Sequence, residues 1–595
     1  MRQITSVEKR QYLYSILTVL LFLILIGRFF YLQIYKRTQY LKASEKNRIR
    51  EVVIEPTRGL FIDRNGEVLV DNHPSYSVYA IPFEIKKADS VLNLAGKILN
   101  MKVTEIENVI KRERIGLFTP VKLKRQIDFE TLTQIEEYKL DLPGIIYQIE
   151  PRRYYPSGVR APHVFGYLGE INKSELDQSD FLGFRLGDIV GKKGLEKYYE
   201  NELRGTRGYN YIEVDALGRE IRGLKDRPEI LPLPGKNFHL TLDAELQRSL
   251  EARMDTLRGG VVVVDCTNGA VIALVSKPDY DPEIFTKSIS PEIWKSLVDD
   301  TTKPLYDRMV QSLYPPGSTY KIILAAAAIE LGIIKPDWQA FCPGYTWLGR
   351  RKYDCWKPEG HGELDLMGAI EQSCNVYFYK LGLKVDLDNW ANFSRYFLFG
   401  KSTNIDLIDE KSGFVPDRNY LDQQYGKDRW SKGLILNLSI GQGDLLVTPL
   451  QMVRLAMIIA NEGLYYPLHL INYMEDPIDE TKIFASIDST RVSGISQKTF
   501  KILKQGMFRV CHGEHGTGRA ASYRDITVAG KTGTAENPHG EDHAWFIGYA
   551  PADAPKIAFC ILVENGGSGG KVAAPIAKLI IKNYFYQSRV KRDKI

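Results

Sequence analysis

A short segment rich in proline and glycine runs directly into a helix that is apolar on almost every side. The segment is Tyr314-Pro-Pro-Gly-Ser-Thr-Tyr-Lys321, and Ile322-Ile-Leu-Ala-Ala-Ala-Ala-Ile-Glu-Leu331 follows it. Proline and glycine favour a turn, whereas the residues that follow are good helix formers. Because a helix without a polar face must be covered on all sides, we expect this one at the centre of a domain.

Ser318 and Lys321 lie at the start of this helix. We expect Ser318 to cap the helix or to open its first turn, with Lys321 on the same face three residues later. A serine hydroxyl attacks only after a base removes its proton, and a lysine can be that base when burial lowers its pKa. The pattern S-x-x-K also occurs by chance as a plain cap beside a surface lysine. Other parts of the chain must decide between the two interpretations.

An apolar run near the N-terminus, Tyr12 to Phe30, is long enough to span a bilayer. Arg2, Lys9 and Arg10 precede it, and positive charge keeps the leading flank in the cytoplasm. Because no small-residue cleavage site follows, we expect an uncleaved anchor, with the rest of the chain outside the cytoplasm. The alternative is a buried helix of a soluble domain.

The length of 595 residues predicts several domains, and a net charge of +6 is too small for this size to favour a nucleic-acid partner. The fold class that we expect is α+β. The predicted divisions are a cytoplasmic tail and transmembrane anchor in 1–35, a non-catalytic mixed α/β pedestal in 45–235, a larger domain in 236–586 and a basic tail in 587–595.

The sequence at both ends of the larger domain predicts strands, and the sequence between them, from about 290 to 520, is mainly helical. Gly260–Asp265 and Ala270–Val275 predict an antiparallel hairpin around an Asn-Gly turn. The economical arrangement is one antiparallel sheet built from both ends of the domain and flanked by helices. The remaining predicted elements are strands at Ala544–Gly548 and Lys556–Val563 and a terminal helix from Pro575 to Tyr586.

Ser373-Cys-Asn375 is a second polar feature, inside a predicted helix from Leu366 to Leu381. Ser and Asn compete with the backbone inside a helix unless they have another task. Ser373 is a candidate proton relay, and Asn375 is a candidate amide that orients a substrate carbonyl. The alternative is a polar helix end.

Lys531-Thr-Gly-Thr-Ala535 follows the strand-like Ile526–Gly530. Gly533 leaves the strand edge bare, so that a ligand backbone can approach it. Lys531, Thr532 and Thr534 offer a positive charge and two hydroxyls to an anionic ligand. The backbone N–H near Thr534, facing that of Ser318, would form an oxyanion hole. The alternative is an exposed strand edge that carries a lysine.

The three patterns S-x-x-K, S-x-N and K-T-G, in this order, are the set found in serine β-lactamases and penicillin-binding proteins. With the anchor, the Arg58 to Gly66 region and Gly441-Gln-Gly443, the chain resembles class B penicillin-binding proteins over nearly its whole length. Within this class it looks most like the elongation-specific penicillin-binding protein 2. The resemblance implies that residues 236–586 are a peptidoglycan D,D-transpeptidase domain.

By this resemblance, Ser318 attacks the D-Ala–D-Ala bond of a stem peptide, with Lys321 as base, Ser373 as relay and Asn375 as the orienting amide. Substrate binding falls to Lys531, Thr532, Gly533 and Thr534. β-Lactams would acylate Ser318 in place of the substrate. The implied partners are a SEDS-type (RodA-like) glycan polymerase and other elongation proteins, at the inner membrane.

The stretch from Phe341 to Cys374 contains three cysteines and one histidine. The elongation-specific subfamily can carry zinc near its active site, and the resemblance implies Cys342, Cys355, His361 and Cys374 as ligands here. Two cysteines then replace two aspartates of the family pattern, and Asp354 is a possible substitute ligand. A Cys₃His set is a good structural zinc site in its own right. A Cys342–Cys355 disulfide and free thiols remain the alternatives.

Several other functions share part of this pattern. A β-lactamase needs a base that activates water, and we find no convincing glutamate loop for one. A carboxypeptidase, the division-specific class B transpeptidase and a scaffold that activates a polymerase remain the alternatives. Cys266 and Cys560 are expected to be buried thiols. His543 is expected to be a structural histidine, with lining of the cleft as the second possibility.

Overall fold

The computed structural model describes residues 6–38, 40, 49–85, 88–114, 120–177, 184, 187–214, 220–223, 228–287 and 289–587. The predicted tail at 587–595 lies outside this range, except for its first residue. The chain divides into two compact units whose segments alternate along the sequence. The first unit is Met1–Pro56, Pro74–Pro151 and Thr206–Leu233, and the second is Thr57–His73, Arg152–Gly205 and Pro234–Ile595.

The first unit begins with a long apolar helix, Ser6–Phe30, which contains the predicted apolar run. A π-helical turn, Tyr31–Tyr35, continues it. The span Arg10–Tyr35, 26 residues long, is apolar enough to cross a membrane and is not buried against the rest of the chain. An exposed apolar surface of this extent requires an apolar neighbour. The helix is therefore a candidate membrane anchor.

The remainder of the first unit is a small α/β structure. The predicted helical stretch from Ser90 to Arg112 forms two amphipathic helices, Ala88–Leu99 and Val103–Glu113, whose apolar faces are buried in a common core. The other elements are the helix Phe129–Glu137 and the strands Ile49–Ile54, Val68–Ala80 (from Pro74 onward), Val121–Ile127, Ile145–Tyr154, Gly208–Val214 and Glu220–Gly223.

Buried ion pairs join the early segments of the second unit to one another. Arg58 contacts Glu196 at 2.5 Å and Glu200 at 2.6 Å, and Arg153 contacts Glu196 at 2.7 Å. Because buried charges are tolerated only when paired, loss of one member would leave an uncompensated charge. The nearby elements are the strands Phe61–Ile62, Leu168–Glu170 and Ile189–Gly191 and the helices Pro162–Phe165, Lys173–Leu176, Gly194–Tyr198 and Glu200–Arg204.

A five-stranded antiparallel sheet, which we call the central sheet, forms the core of the second unit. The predicted hairpin and both predicted C-terminal strands belong to it, which confirms one sheet built from both ends of the domain. In spatial order its strands are Val271–Lys277, Gly259–Asp265, Ile557–Val563, His543–Ala550 and Ala529–Ala535. The last of these, which we call the KTG strand, lies at the edge.

Helices cover both faces of the central sheet, since every residue of its middle strand, Ile557–Val563, is buried. Two pairs of helices pack on the sheet, and the members of each pair also contact each other. One pair is Ala244–Met254 with Gly569–Lys582, and the other is Pro449–Ala460 with Gln497–His512. All twelve residues of Pro449–Ala460 are buried. Two helical layers with a sheet between them confirm the α+β class.

The terminal helix differs from the prediction. It spans Gly569–Lys582 and contains Pro575 in its interior, so the predicted start at Pro575 is wrong. A Cβ at Gly569 would lie 2.3 Å from the carbonyl oxygens of Gly533 and Trp545. Because glycine alone permits this approach, the helix can begin against the KTG strand. The stabilisation from burying the helix there exceeds the cost of the hydrogen bond that Pro575 cannot donate.

The helical middle of the second unit also contains short strands that the sequence did not predict. Three two-stranded pairs are Ala340–Cys342 with Gly362–Leu364, Tyr345–Leu348 with Arg351–Asp354, and Leu464–Tyr465 with Thr490–Arg491. Ile471–Glu475 instead lies between Lys482–Phe484 and Asn237–Leu240, and the latter also pairs with Phe61–Ile62. The remaining α-helices are Pro291–Asp299, Lys321–Glu330, Leu366–Glu371, Asn375–Val385, Leu387–Tyr396, Arg418–Tyr425 and Gly433–Ser439.

Candidate active site

Ser318 lies in a single 3₁₀ turn, Gly317–Tyr320, that leads into the buried helix Lys321–Glu330. Tyr320 is the N-cap of that helix, so Ser318 is not the cap and instead lies in the turn before it. Residues three apart eclipse each other in a 3₁₀ turn. Ser318 and Lys321 therefore share one face at the start of the helix. The Ser318 side chain is only half-buried, so a substrate can reach it.

Lys321 is fully buried and donates hydrogen bonds to the break that follows the helix Leu366–Glu371. Its Nζ lies 2.8 Å from the Ser373 carbonyl oxygen, 2.7 Å from Asn375 Oδ1 and 3.3 Å from Ser373 Oγ. Burial lowers the pKa of Lys321 to about 8. A fraction of this amine is consequently neutral, and able to accept a proton, near physiological pH.

The predicted helix from Leu366 to Leu381 is wrong, because it is broken at the S-x-N motif. Two helices, Leu366–Glu371 and Asn375–Val385, flank the break, and Ser373 has a φ of 55°. A non-glycine residue in this left-handed region is strained and persists only where its surroundings hold it. Here the Lys321 hydrogen bond to the Ser373 carbonyl holds it. In this conformation the Ser373 hydroxyl lies within reach of both lysines.

Lys531 approaches the same hydroxyl from the KTG strand. The strand includes the motif, whereas the sequence placed the motif after it. Lys531 Nζ donates to Ser373 Oγ at 2.8 Å and to the Thr532 carbonyl at 3.1 Å. Burial, followed by the charge of Lys321, lowers the pKa of Lys531 well below its usual range. All three sequence patterns thus meet around one hydroxyl group.

Two glycines allow the KTG strand to approach the serine turn. A Cβ at Gly317, whose φ is 56°, would lie 2.6 Å from the Thr534 carbonyl oxygen. A Cβ at Gly533 would lie 2.9 Å from Thr319 Cγ2. Of the residues from Ala529 to Ala535, only Thr534 is exposed, which leaves its side chain available to a ligand. The strand edge and the serine turn form the two walls of a cleft.

Thr517 and Glu371 support this cleft, and the sequence analysis missed both. Thr517 Oγ1 lies 2.8 Å from Thr532 Oγ1, and the Glu371 carboxylate accepts a hydrogen bond from the His515 N–H at 3.0 Å. Glu371 directly precedes the S-x-N break. The only available signal was the glycine-rich sequence Gly513-Glu-His-Gly-Thr-Gly518, which is typical of a tight loop.

The four proposed metal ligands converge beside the break. The candidate ligand atoms of Cys342, Cys355, His361 and Cys374 all lie within 4.8 Å of one another. His361 Nδ1 is 3.6 Å from Cys342 Sγ and 3.5 Å from Cys355 Sγ. We call this group the Cys₃His cluster. Cys374 also caps the helix Asn375–Val385, since its Sγ accepts a hydrogen bond from the Tyr377 N–H.

Two distances within the cluster agree with a tetrahedral zinc ion. Zinc bonds of about 2.3 Å to sulfur and about 2.0–2.1 Å to nitrogen place these two atoms roughly 3.5 Å apart at a tetrahedral angle. The two observed N–S distances agree with that value. The hydrogen bond between Cys374 and Cys355 lowers the pKa of Cys355 and raises the pKa of Cys374, so one proton is shared by the pair. A bound metal would have to replace that proton. The Asp354 side chain lies outside the cluster and pairs with Lys352 at 2.8 Å.

The other cysteines and His543 have structural surroundings. All six cysteines are free thiols, and Cys266, Cys511 and Cys560 are buried away from the cluster. His543 begins a strand of the central sheet. Its Nδ1 accepts a hydrogen bond from the Asn565 N–H at 3.2 Å, and its ring contacts Tyr314 edge-on. These contacts agree with the structural assignment of this histidine.

Comparison with known proteins gives the same picture at the level of domains. The model of the penicillin binding protein transpeptidase domain matches residues 259–582, and that of the penicillin-binding protein dimerisation domain matches residues 53–240. Peptidoglycan D,D-transpeptidase MrdA of Haemophilus influenzae is 33% identical over 591 residues, which cover 95% of this chain and 89% of the relative.

Solved structures of similar proteins cover most of the chain. PBP2 of Helicobacter pylori, in its complex with MreC, superposes with a TM-score of 0.79 at 30% identity, over 90% of this chain and 99% of that one. A chain of a peptidoglycan synthase complex that coordinates polymerization and crosslinking superposes at 0.70 and 28% identity, over 97% and 98%. The chain is similar to PBP2 structures, and it belongs to the penicillin-binding proteins that combine a dimerisation domain with a transpeptidase domain.

Proposed function

We propose that this protein is a peptidoglycan D,D-transpeptidase of the elongation-specific type, which cross-links stem peptides through an acyl-enzyme on Ser318. The observation that carries the proposal is the Ser373 hydroxyl, which contacts both buried lysines beside Ser318. Two ammonium groups that share one hydroxyl in a buried site repel each other, so one of them is readily neutral. A neutral lysine next to a serine nucleophile supplies the base that acylation needs.

The acylation step follows from this arrangement. The Ser318 oxygen attacks the carbonyl carbon between the two D-Ala residues, and Lys321 takes the proton of the Ser318 hydroxyl at the same time. Ser373 relays a proton to the departing nitrogen, so that the terminal D-Ala leaves as an amine. Asn375 is held by Lys321 through its Oδ1. Its Nδ2 carries two hydrogens, of which one points to the Asp354 carbonyl at 3.5 Å, so the other can orient the substrate carbonyl.

The KTG strand supplies substrate binding in this proposal. It is the edge strand of the central sheet, so an extended peptide can add to it by backbone hydrogen bonds. The N–H groups of Ser318 and Thr534 form the oxyanion hole, which the close approach of Gly317 to Thr534 supports. Thr534 and the charge of Lys531 hold the terminal carboxylate, together with Thr532.

The second step releases the product from the enzyme. An amine of a neighbouring stem peptide attacks the ester carbonyl, its proton passes to the catalytic lysine, and Ser318 is regenerated. A β-lactam forms the same ester on Ser318 but leaves it only slowly. A β-lactamase would hydrolyse that ester within seconds. The division-specific transpeptidase and a scaffold with little catalysis are the remaining alternatives, and no observation favours either.

We further propose the membrane topology and the partners. The helix Ser6–Phe30 anchors the protein in the cytoplasmic membrane, and the basic residues Arg2, Lys9 and Arg10 keep the N-terminus in the cytoplasm. Both domains then lie outside the cytoplasm. A SEDS-type glycan polymerase and other elongation proteins are the partners. The similarity to a PBP2 solved with MreC and to a chain of a peptidoglycan synthase complex supports this assignment.

We also propose that the Cys₃His cluster holds one zinc ion. Four protein ligands leave no open position, so the metal would be structural and would take no part in the reaction. Cys374 lies between Ser373 and Asn375, and a bond to it would fix the S-x-N break. The convergence of the four ligand atoms and the two N–S distances support the proposal.

Covalent labelling with a fluorescent penicillin tests the main proposal. The full-length protein in detergent should be labelled, Ser318→Ala should not be, and Ser296→Ala on an exposed helix should be labelled normally. Persistent labelling of Ser318→Ala, or none in the unmodified protein, contradicts the assignment of Ser318. An acyl-enzyme lifetime of seconds would instead favour a β-lactamase, and formation of cross-linked dimers from glycan strands distinguishes a transpeptidase from a carboxypeptidase.

A further inference from the structure

A short hairpin beside the S-x-N break carries aromatic and basic side chains that the reaction as described does not use. We call it the basic hairpin; it spans Tyr345–Asp354 and consists of the strands Tyr345–Leu348 and Arg351–Asp354. Gly349 and Arg350 form its tip, where Gly349 has a φ of 59°. Three consecutive cationic residues occupy the tip and the returning strand: Arg350, Arg351 and Lys352.

One face of the basic hairpin is buried and the other is open. Residues opposite each other in an antiparallel pair share a face. Thr346 faces Tyr353, which is buried, so this face packs against the domain. Trp347 faces Lys352 on the other side, and the Trp347 side chain is 58% exposed. Exposed Tyr345 lies on the open face, with Lys352 Nζ 4.8 Å from its ring centroid.

The base of the basic hairpin contacts the catalytic machinery. The Asp354 carbonyl accepts hydrogen bonds from Asn375 Nδ2 at 3.5 Å and from the Tyr379 hydroxyl at 3.4 Å. Trp356, just beyond the hairpin, donates from Nε1 to the Gln372 carbonyl at 3.0 Å and remains 56% exposed. The exposed Trp356 ring therefore contacts the residue that directly precedes Ser373. Four-residue strands extend roughly 13 Å from this base, at about 3.3 Å per residue.

The charges of the basic hairpin are unbalanced and divide between its faces. Lys352 and Asp354 lie on the open face, whereas Arg351, opposite the half-buried Leu348, lies on the same face as Tyr353 near the tip. Asp354 is the one acidic residue of the basic hairpin, and it pairs with Lys352. Arg350 and Arg351 are exposed and have no carboxylate partner within the part of the chain that the structure describes. Arg351 lies over the Tyr353 ring, 5.1 Å from its centroid, which holds the guanidinium in place. Exposed arginines at the tip of the hairpin, with the exposed Trp347 ring on its open face, suit a ligand that passes over the tip and combines carboxylates with aliphatic stems.

We propose that the basic hairpin is the docking site for the acceptor strand, with Arg350 and Arg351 pairing with carboxylates of the neighbouring stem peptide and Trp347 covering its aliphatic part. The inference rests on the transpeptidase function proposed above. A stem peptide that ends in D-Ala–D-Ala carries a terminal carboxylate, so an acceptor strand is anionic. The donor's own carboxylate is assigned to the KTG strand, which leaves these arginines for the second strand.

The double substitution Arg350→Glu/Arg351→Glu tests this assignment in the full-length protein. Three rates are measured: acylation by a fluorescent penicillin, exchange of the terminal D-Ala for a free D-amino acid, and formation of cross-linked dimers from glycan strands. An acceptor site predicts that cross-linking falls about tenfold or more at low salt, as expected when attractive charges are reversed. The first two rates should stay within about twofold, since a small β-lactam and a free D-amino acid do not reach the hairpin.

Lys498→Glu/Lys501→Glu is the matched control, because it reverses two exposed charges at the start of the helix Gln497–His512. Cross-linking by this variant should equal that of the unmodified protein. Trp347→Ala should lower cross-linking without changing its salt dependence, whereas the arginine variant should lose that dependence.

Each other result overturns the proposal in a distinguishable way. Unchanged cross-linking by the arginine variant means that the hairpin binds no strand. Equal losses of exchange and of cross-linking place the donor strand, and not the acceptor, on the hairpin. If penicillin acylation is lost together with exchange and cross-linking, the hairpin supports the S-x-N break and has no separate binding role. Failure of the unmodified protein to cross-link any strand would contradict the transpeptidase function itself.

Discussion

The hydroxyl oxygen of Ser373 lies 2.8 Å from Lys531 Nζ, although 158 residues separate the two in the chain. Lys321 Nζ is 3.3 Å from the same oxygen. A hydroxyl can accept from one amine while it donates to another, provided that one of the two amines is neutral. The contact therefore connects the nucleophile's base to the strand that binds substrate, through a group that can pass a proton in either direction.

Ser373→Ala should slow acylation of Ser318 by a β-lactam about 10²- to 10⁴-fold, the range expected when a general acid–base group is removed. Stopped-flow measurement of the acylation rate constant provides the test. Ser394→Ala removes an equally buried hydroxyl, which bonds only to the Trp390 carbonyl, and should leave the rate unchanged. An unchanged rate in Ser373→Ala would show that the two lysines work without the relay.

The acylation rate should depend on pH through Lys321. Its pKa is lowered by burial to about 8, and only the neutral amine accepts the Ser318 proton. Below pH 8 the rate should therefore rise close to tenfold per pH unit, and above it the rate should level off. Rate constants measured between pH 6 and 9 at constant ionic strength provide the test. A flat profile across this range would mean that another group is the base.

The same shift has a consequence for stability. In the unfolded chain Lys321 regains its ordinary pKa of 10.5, so between about pH 8 and 10.5 the unfolded state binds the proton that the folded state has lost. The contribution of Lys321 to the free energy of unfolding should increase with pH across this window. Lys321→Met should reduce that slope in denaturant titrations. An identical slope in both proteins would contradict the lowered pKa.

The residue patterns predicted which chemistry is present better than they predicted the local backbone. The central sheet followed from apolar runs bounded by Asn-Gly and Gly signals, and the structure confirms it. Good helix formers flank the S-x-N segment on both sides, and they predict a continuous helix there. The left-handed φ of Ser373 depends on a hydrogen bond from Lys321, a contact over 52 residues that no local pattern contains.

Other differences have the same cause. Pro575 suggested a helix start, yet the helix begins six residues earlier, because Gly569 packs against two carbonyl groups of the central sheet. Thr517 belongs to the cleft through contacts with Thr532 and with the Glu371 carbonyl, and no local sequence pattern contains either contact. Sequence periodicity identifies elements that bury their own apolar face, whereas these features depend on tertiary contacts.

Zinc in the Cys₃His cluster has a readout that does not depend on activity. Protein purified anaerobically should contain about one zinc per chain by metal analysis, Cys355→Ser should contain none, and Cys266→Ser, which removes a buried thiol elsewhere, should keep it. A strong chelator should lower the unfolding temperature by roughly 5 °C or more, since ligands are lost from a structural site. Absence of stoichiometric zinc from the unmodified protein would exclude the metal.

Gly317→Ala should both destabilise the domain and slow acylation. The alanine Cβ would lie 2.6 Å from the Thr534 carbonyl oxygen, and the φ of 56° is unfavourable for any residue with a side chain. Gly332→Ala is the matched control, because Gly332 has a φ of 67° with no atom within 4 Å of the added Cβ. The control should cost about 1 kcal/mol of unfolding free energy from backbone strain alone.

Gly317→Ala should cost roughly 1–3 kcal/mol more, because the KTG strand must move away from Ser318. Denaturant unfolding and penicillin acylation measured on both variants separate these effects, since only the first variant should lose acylation. Equal costs with normal acylation in both would mean that the cleft does not depend on this close approach.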